Sequence, residues 1–340
     1  MHNNKGVVLI LVLWVLLILS LIAWGLGRRS SLEVSLLQTY RGKLHSYAAA
    51  RGAMNTILDM MQKTPSAKDT LYTAGINIDQ TKTTEAIFAH IDSGKDAYAA
   101  VEWPARNYNL GDNDPHLEYG LRDEGGLINI NAIGPTNYQI LSALIQLYGL
   151  SQPDADKLAL AIVNYTGVNT QVSGNNSFLN MDDTSLKPKN RPYENILELL
   201  EVDGMTRQIF DKIKDDVTVY GNIQNGLWIN TDTANNDVIQ AVAYAASRQN
   251  PSINPAQIIA QAYAIRDGSD GLSFTQDDGA AAIASYNDPN WPGALQEGVS
   301  NYYRARVVGI DANSGTRTVL EAVIQHAPGM PATIVSWEQD

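Results

Sequence analysis

The chain has 340 residues and a formal net charge of −12, and it contains no cysteine. The absence of cysteine excludes disulfide bridges and thiolate metal sites. A strongly acidic chain repels nucleic acid and other polyphosphates, so we expect no nucleic-acid partner. The length is sufficient for two domains of ordinary size.

The first feature along the chain is an uncharged stretch from Val7 to Leu26. At about 1.5 Å per helical residue, it is long enough to cross a hydrocarbon core of roughly 30 Å. A removable signal peptide has an apolar core of about 7–15 residues, followed by a cleavage site of small residues. This stretch is longer and is followed by Arg28 and Arg29. The sequence therefore predicts a retained helix that inserts into a membrane.

The helical pattern continues beyond the uncharged stretch. From Leu32 to Met61, apolar residues recur at steps of three and four, which places them along one side of a helix. We predict a single helix over residues 7–62, about 80 Å long. Its amphipathic half, residues 27–62, needs a surface on which to pack.

Strand patterns and helix patterns then follow one another in blocks. Alternating apolar and polar residues predict strands at 97–103, 117–123, 299–310, 317–326 and 332–337. From Pro135 to about Asp267 the pattern is helical instead. Strands that bracket a helical block indicate an α+β fold with an inserted helical domain.

Two patterns occur inside the helical block. The segment Gly126-Leu127-Ile128-Asn129 resembles the later segment Gly226-Leu227-Trp228-Ile229-Asn230, and two predicted helices follow each of them. Residues 195–214 have the outline of two helices joined by a turn, a unit that can bind DNA phosphates. Its many acidic residues would repel phosphates, so we interpret it as a packing module.

No catalytic arrangement is evident in the sequence. The five histidines are scattered, and there is no His-Glu-x-x-His pair, Gly-x-Ser-x-Gly elbow, phosphate loop or dinucleotide fingerprint. Asp123 and Glu124 are adjacent carboxylates, but neighbours in a strand point to opposite faces. We predict that the chain is not an enzyme, with residues that converge from distant positions as the alternative.

Several segments, taken in order, resemble one known family. Lys5-Gly6 followed by the apolar run from Val7 is similar to a prepilin-type leader. Four downstream segments, residues 123–131, 197–205, 229–234 and Trp337-Glu338, resemble conserved segments of the minor pseudopilin K family of type II secretion systems, also called general secretion pathway protein K.

This resemblance implies a fold and a set of boundaries. The family has a pilin-like long N-terminal helix packed on an antiparallel sheet, with a large inserted α-helical domain of the SAM-like or helix-hairpin-helix type. The boundaries expected here are a leader at 1–6, a transmembrane half-helix at 7–26, an amphipathic half-helix at 27–62, a pilin-like domain at 63–125 and 270–340, and an inserted helical domain at 126–269.

The resemblance also implies processing and a position in an assembly. Prepilin peptidase would cut after Gly6, so that a methylated Val7 becomes the first mature residue. Most pilins have glutamate as the fifth mature residue, where this chain has Leu11. That glutamate would pair with the N-terminal amine of the neighbouring subunit above. Because Leu11 cannot form this pair, the chain would sit at the tip of a pseudopilus. Its expected partners are the I- and J-type minor pseudopilins, other pseudopilins, and the secreted substrate or the secretin channel.

The charge pattern and the resemblance disagree about orientation. Arg28, Arg29, Arg41 and Lys43 follow the apolar stretch, and this excess of positive charge would place the C-terminal part in the cytoplasm. The resemblance implies instead a single pass through the bacterial inner membrane, with the C-terminal domain in the periplasm. We adopt the second orientation.

Calcium is the only cofactor that the sequence suggests. Ca²⁺ prefers about six to eight oxygen ligands on flexible loops, and several loops are rich in Asp and Asn. The resemblance implies calcium in the inserted domain, but the family's acidic stretch corresponds to residues 163–169, which have no acidic side chain here. Asp182 and Asp183 are the first candidate ligands, and Asp267 and Asp270 are the second. Ordinary turn chemistry is the alternative.

Two other functions remain open. The chain could be a minor pilin of a type IV pilus, which the missing glutamate and the helical insertion disfavour. It could also be an enzyme or binding module of the periplasm that uses the N-terminal helix only as an anchor.

Overall fold

The computed structural model describes residues 5–63, 87–104, 117–167, 189, 191–221, 226–271, 273, 285–298, 300–327 and 330–339. Within these residues, eleven strands are β1 Ile91–Asp92, β2 Ala97–Pro104, β3 Leu117–Tyr119, β4 Arg122–Asp123, β5 Ile128–Asn129, β6 Val217–Thr218, β7 Ile229–Asn230, β8 Leu295–Gln296, β9 Tyr302–Asp311, β10 Arg317–Gln325 and β11 Thr333–Gln339. The α-helices are α1 Lys5–Lys63, α2 Tyr138–Leu147, α3 Gln152–Tyr165, α4 Arg207–Ile213, α5 Asn236–Gln249 and α6 Pro255–Arg266.

The predicted long helix is confirmed as α1, a single helix of 59 residues. It ends two residues before Pro65, as expected because proline cannot continue a helix. In the part of the chain that the structure describes, no helix combines the length and the apolarity that a membrane crossing requires.

Seven of the described strands form an antiparallel sheet on which α1 packs, while β5 with β6 and β7 with β8 form two separate parallel pairs. The sheet order is β1-β2-β9-β10-β11, while β3 pairs with β2 and β4 pairs with β9. One face of the sheet and one side of α1 share a hydrophobic core, and its members are Ala49, Ala50, Ala53, Met54, Ile57 and Met61 of the helix and Ala99, Val101, Tyr303, Ala305, Val307, Leu320, Ala322 and Ile324 of the sheet. The alternation in β2, β9 and β10 therefore reflects one covered face, as the sequence predicted.

The helices α2 to α6 enclose a second hydrophobic core. The N-termini of α3 to α6 are capped by polar side chains, as when Asn235 accepts a hydrogen bond from the Val238 amide and begins α5. The two similar segments of the sequence form the short strands β5 and β7, and two helices follow each of them. The α+β class is confirmed, with helix and antiparallel sheet in one core and helices in the other.

Two local predictions were wrong in detail. The strand predicted at 117–123 is divided into β3 and β4, because Gly120 has φ +125°, a value outside extended backbone. In the helix–turn–helix at 195–214, the first helix is a 3₁₀ helix over Ile196–Glu201 rather than an α-helix. This 3₁₀ helix is short because the chain turns three residues after its end, at Gly204, which has φ +84°.

Candidate assembly interface

The N-terminal part of α1 is an exposed apolar helix. The described side chains from Leu9 to Gly25 include no charged residue, and the large apolar ones are about half exposed or more. Leu11, the residue predicted for assembly, is 61 % exposed. Gly6 and Val7, the predicted processing site, lie in the helical backbone at the start of α1.

A second group of exposed apolar side chains lies in the middle of α1. Between residues 33 and 44 every residue except Gly42 is exposed, and the large apolar residues are Val34, Leu36, Leu37, Tyr40 and Leu44. Tyr40 reaches 71 % exposure. We call residues 34–44 the middle segment of α1. Exposed apolar side chains at this density indicate an interaction surface, for another protein or for a membrane.

From about residue 45, α1 is attached to the sheet by polar contacts as well as by the core. The Ser46 and Thr318 hydroxyls are hydrogen-bonded at 2.7 Å, and His45 Nδ1 lies 2.9 Å from Asp311 Oδ2. Hydrogen bonds from Ser314, and then that of His45, lower the pKa of the Asp311 carboxyl below its ordinary value. These contacts fix the direction in which the exposed part of α1 leaves the domain.

Close backbone packing contributes to the same attachment. A Cβ atom on Gly309 of β9 would lie 1.8 Å from the Ser46 carbonyl oxygen and 2.9 Å from the Ala50 Cβ. Any larger residue at this position would therefore separate α1 from the sheet. Glycine is required because the helix and the strand are in direct backbone contact.

The sheet and the inserted helices meet at a buried carboxylate, Asp123. It accepts hydrogen bonds from the Gly125 amide at 2.8 Å, the Asn230 amide at 2.9 Å and the Thr233 hydroxyl at 2.7 Å. Burial raises the pKa of the Asp123 carboxyl above its ordinary value, and the hydrogen bonds from Thr233, Asn230 and Gly125 oppose that rise. One side chain thus joins β4 to β7 and to the turn that follows β7.

The neighbouring carboxylate, Glu124, makes a different connection. It forms an ion pair with Arg304 of β9, with 2.7 Å between Arg304 Nε and Glu124 Oε1, and it accepts a hydrogen bond from the Thr218 hydroxyl of β6. Asp123 and Glu124 therefore contact different elements, and both are buried and engaged with protein groups. This arrangement links structural elements and does not resemble a pair of catalytic carboxylates.

The predicted calcium ligands are only partly within the described residues. Residues 182 and 183 lie outside them. The Asp267 carboxylate is buried and accepts hydrogen bonds from Arg266 Nε at 2.6 Å, Arg266 Nη2 at 3.0 Å and Ser273 Oγ at 2.6 Å. Asp270 is exposed. Among the described residues, no three His, Asp or Glu side chains are grouped so that they could hold a metal ion.

The comparisons with known proteins agree with the sequence motifs. Residues 126–222 match the family "Type II secretion system (T2SS), protein K". A chain of the crystallised GspK-GspI-GspJ complex from the enterotoxigenic Escherichia coli Type 2 Secretion System is similar in fold, with a TM-score of 0.50 and 15 % sequence identity. The similarity covers 91 % of this chain and 99 % of the other. No curated protein matches in sequence. The family matched by residues 126–222 is therefore the one that the sequence motifs resemble, protein K of the type II secretion system.

Proposed function

We propose that this chain is a minor pseudopilin at the tip of the type II secretion pseudopilus. There it starts assembly of the pseudopilus and supports export of folded proteins across the outer membrane. The observation that carries the proposal is the exposure of the apolar side chains of α1 in two described stretches, residues 9–25 and 34–44, in contrast to the part of the helix that the sheet covers.

The exposed surface has two parts with two proposed environments. Residues 7–26 are uncharged, and we place them in the inner membrane until the subunit enters the pseudopilus. The middle segment of α1 would pack against the helices of sibling subunits. Burial of one large apolar side chain contributes about 1.5–3 kcal/mol. The five large apolar side chains of this segment are 50–71 % exposed, so their burial would contribute about 5–9 kcal/mol to assembly.

The position at the tip follows from residue 11. In a filament built from such helices, an acidic fifth mature residue would pair with the free amine of a neighbouring N-terminus, because lipid penalises an unpaired charge. Leu11 is exposed and offers no acceptor for that amine. A subunit at the tip needs none. The inserted helical domain would also obstruct a subunit above.

The proposed partners are the I- and J-type minor pseudopilins, in line with the GspK-GspI-GspJ complex to which the fold is similar. Contacts with other pseudopilins, the secretin or the secreted protein would follow from the position at the tip. We propose processing by prepilin peptidase between Gly6 and Val7, with the C-terminal domain in the periplasm. The proposed role is structural, and no enzymatic activity is part of it.

The domain division and calcium binding are part of the same proposal. The two separate hydrophobic cores support an inserted domain near 126–269 within a pilin-like domain of 63–125 and 270–340. The Asp267 carboxylate is already held by an arginine and a serine. The calcium proposal therefore depends mainly on Asp182 and Asp183.

Two measurements on the same cells test this function. N-terminal mass spectrometry of the membrane-bound protein should find a methylated Val7 as the first residue. Affinity purification of the full chain from detergent should recover the I- and J-type subunits. An intact Met1 would support instead an N-terminal helix that serves only as an anchor. A methylated Val7 together with recovery of type IV pilus subunits would support the function in a type IV pilus.

A further inference from the structure

The last strand of the sheet, β11, has an open edge. It stands at the end of the strand order, and among the described strands only β10 pairs with it. β11 is seven residues long. The main-chain groups that point away from β10 pair with no described strand, and they have the geometry to pair with a further one.

Proteins usually protect such an edge, and this edge lacks most of those protections. Common devices are a very short strand, proline, or positively charged side chains. At the opposite end of the sheet the edge strand is very short, because β1 has only two residues. Residues 332–340 contain no proline, lysine or arginine. A bulge at Val335 interrupts the pairing with β10, but the register from Ser336 to Gln339 is regular.

Apolar side chains along this edge are also exposed. Every residue of β11 is at least partly exposed, and the large apolar ones are Ile334, Val335 and Trp337. Met330, just before the strand, is exposed as well. β11 also contains the Trp337-Glu338 motif. The contacts of these two residues within the described fold do not explain why they resemble the family.

The register shows which kind of partner fits the edge. Trp337 lies opposite Ala322, whose side chain is in the core under α1, so Trp337 is on the α1 face. Glu338 lies opposite Glu321 and is on the other face. A helix could cover one face only and would leave the main-chain groups of β11 unpaired. An added strand would pair with those groups and would contact side chains on both faces.

We propose that β11 is a strand-addition site that binds an extended segment of a sibling subunit in the pseudopilus tip. The bound segment lacks proline, has β-branched or aromatic residues beside Ile334 and Trp337, and has no acidic residue beside Glu338, since like charges on paired strands repel. This inference rests on the proposed function, because a sibling subunit is required.

Photo-crosslinking tests the pairing directly. The full chain, expressed in its host with its sibling subunits, would carry p-benzoylphenylalanine at one position at a time from 334 to 339. The matched control is Tyr244 on α5, which is 38 % exposed against 39 % for Trp337. We expect at least tenfold more crosslinking to one sibling from Trp337 than from Tyr244. Successive positions should reach residues of one extended segment in steps of two.

Three results would overturn the inference. The first is crosslinks that recur at steps of three and four along a sibling helix, which would mean that a helix covers the α1 face. The second is crosslinks from β11 to residues 64–86 of the same chain. The third is a complex that forms normally while β11 yields no more crosslinks than Tyr244 does. In that case the proposed function stands and the strand-addition site is rejected, whereas loss of the complex itself would refute the proposed function.

An edge-blocking pair of variants gives a second readout. Trp337→Lys places a positive charge on the exposed edge and should reduce recovery of the sibling subunit at least tenfold, while Trp337→Phe should retain it. The side chain is partly exposed, so the fold should tolerate both changes. Equal recovery with both variants would contradict the inference. Unaltered thermal unfolding of the purified variants would show that the loss is not a loss of folding.

Discussion

Replacement of Asp123 by alanine should separate the sheet from the inserted helices. The change removes the acceptor for the Gly125 amide, the Asn230 amide and the Thr233 hydroxyl, all within 2.9 Å. A buried donor without an acceptor costs about 1–3 kcal/mol. We expect the free energy of unfolding to fall by about 3–5 kcal/mol, a large part of the roughly 5–15 kcal/mol that is typical of a domain.

Urea unfolding of the full chain in detergent, followed by tryptophan fluorescence, would measure this loss. Trp228 is a suitable reporter, because its ring lies next to Gly125 and Gly298 at the same junction. The control is Asp92→Ala, which removes an exposed carboxylate whose ion pair with His90 is also exposed. Its effect should remain within about 0.5 kcal/mol. A loss below about 1 kcal/mol for Asp123→Ala would refute the role given to this hydrogen-bonded junction.

The raised pKa of Asp123 adds a pH dependence with a definite sign. Because burial raises the pKa above its ordinary value of 3.8, the folded state keeps this proton at pH values where the unfolded chain has lost it. The contribution of Asp123 to stability should therefore fall as the pH rises from about 4 to the folded pKa. Asp123→Asn should remove this fall. A variant with the same pH dependence as the parent would show that another group is responsible.

The remaining predictions concern the attachment of α1 and the cation. Gly309→Ala should lower the free energy of unfolding by about 3 kcal/mol, because the new methyl group would overlap the Ser46 carbonyl. If urea unfolding gave the same free energy for the variant as for the parent, this packing would be contradicted. The lowered pKa of Asp311 predicts stability that is present above its unfolded pKa near 4 and lost as the pH falls through the folded pKa. Asp311→Asn should lose less stability than the parent over that range, and an unchanged acid transition would count against this role. The unfolding temperature should be higher in a buffer with calcium than in a buffer with a chelator. Identical thermal transitions in these two buffers would reject the calcium proposal.

The regular parts of the fold could be predicted because they depend on local periodicity. The steps of three and four from Leu32 to Met61 gave α1, and the alternation in 317–326 gave β10. The alternation in β10 and the part of the helical pattern from Ala49 to Met61 reflect contact with one core, so the covered face could be identified there from sequence alone. The same pattern did not show that the middle segment of α1 is exposed. The fold class followed from the order of these blocks along the chain.

The junction could not be predicted, because its partners are distant in sequence. Asp123 bonds Asn230 and Thr233 at separations of 107 and 110 residues. Alternation in β9 places Arg304 on the face away from α1, but a sequence does not show that an inserted domain covers that face. Gly309 gave no signal either, since only the approach of Ser46 explains why it has no side chain.

The most direct test of the account is the location of this subunit in assembled pseudopili. Immunogold labelling of a tagged full-length chain, in cells that overproduce pseudopili, would measure where the label lies along each fibre. The account predicts label at one end only, because Leu11 offers no acceptor and the inserted helices obstruct a subunit above. Label repeated along the shaft, with copies ahead and behind, would contradict it.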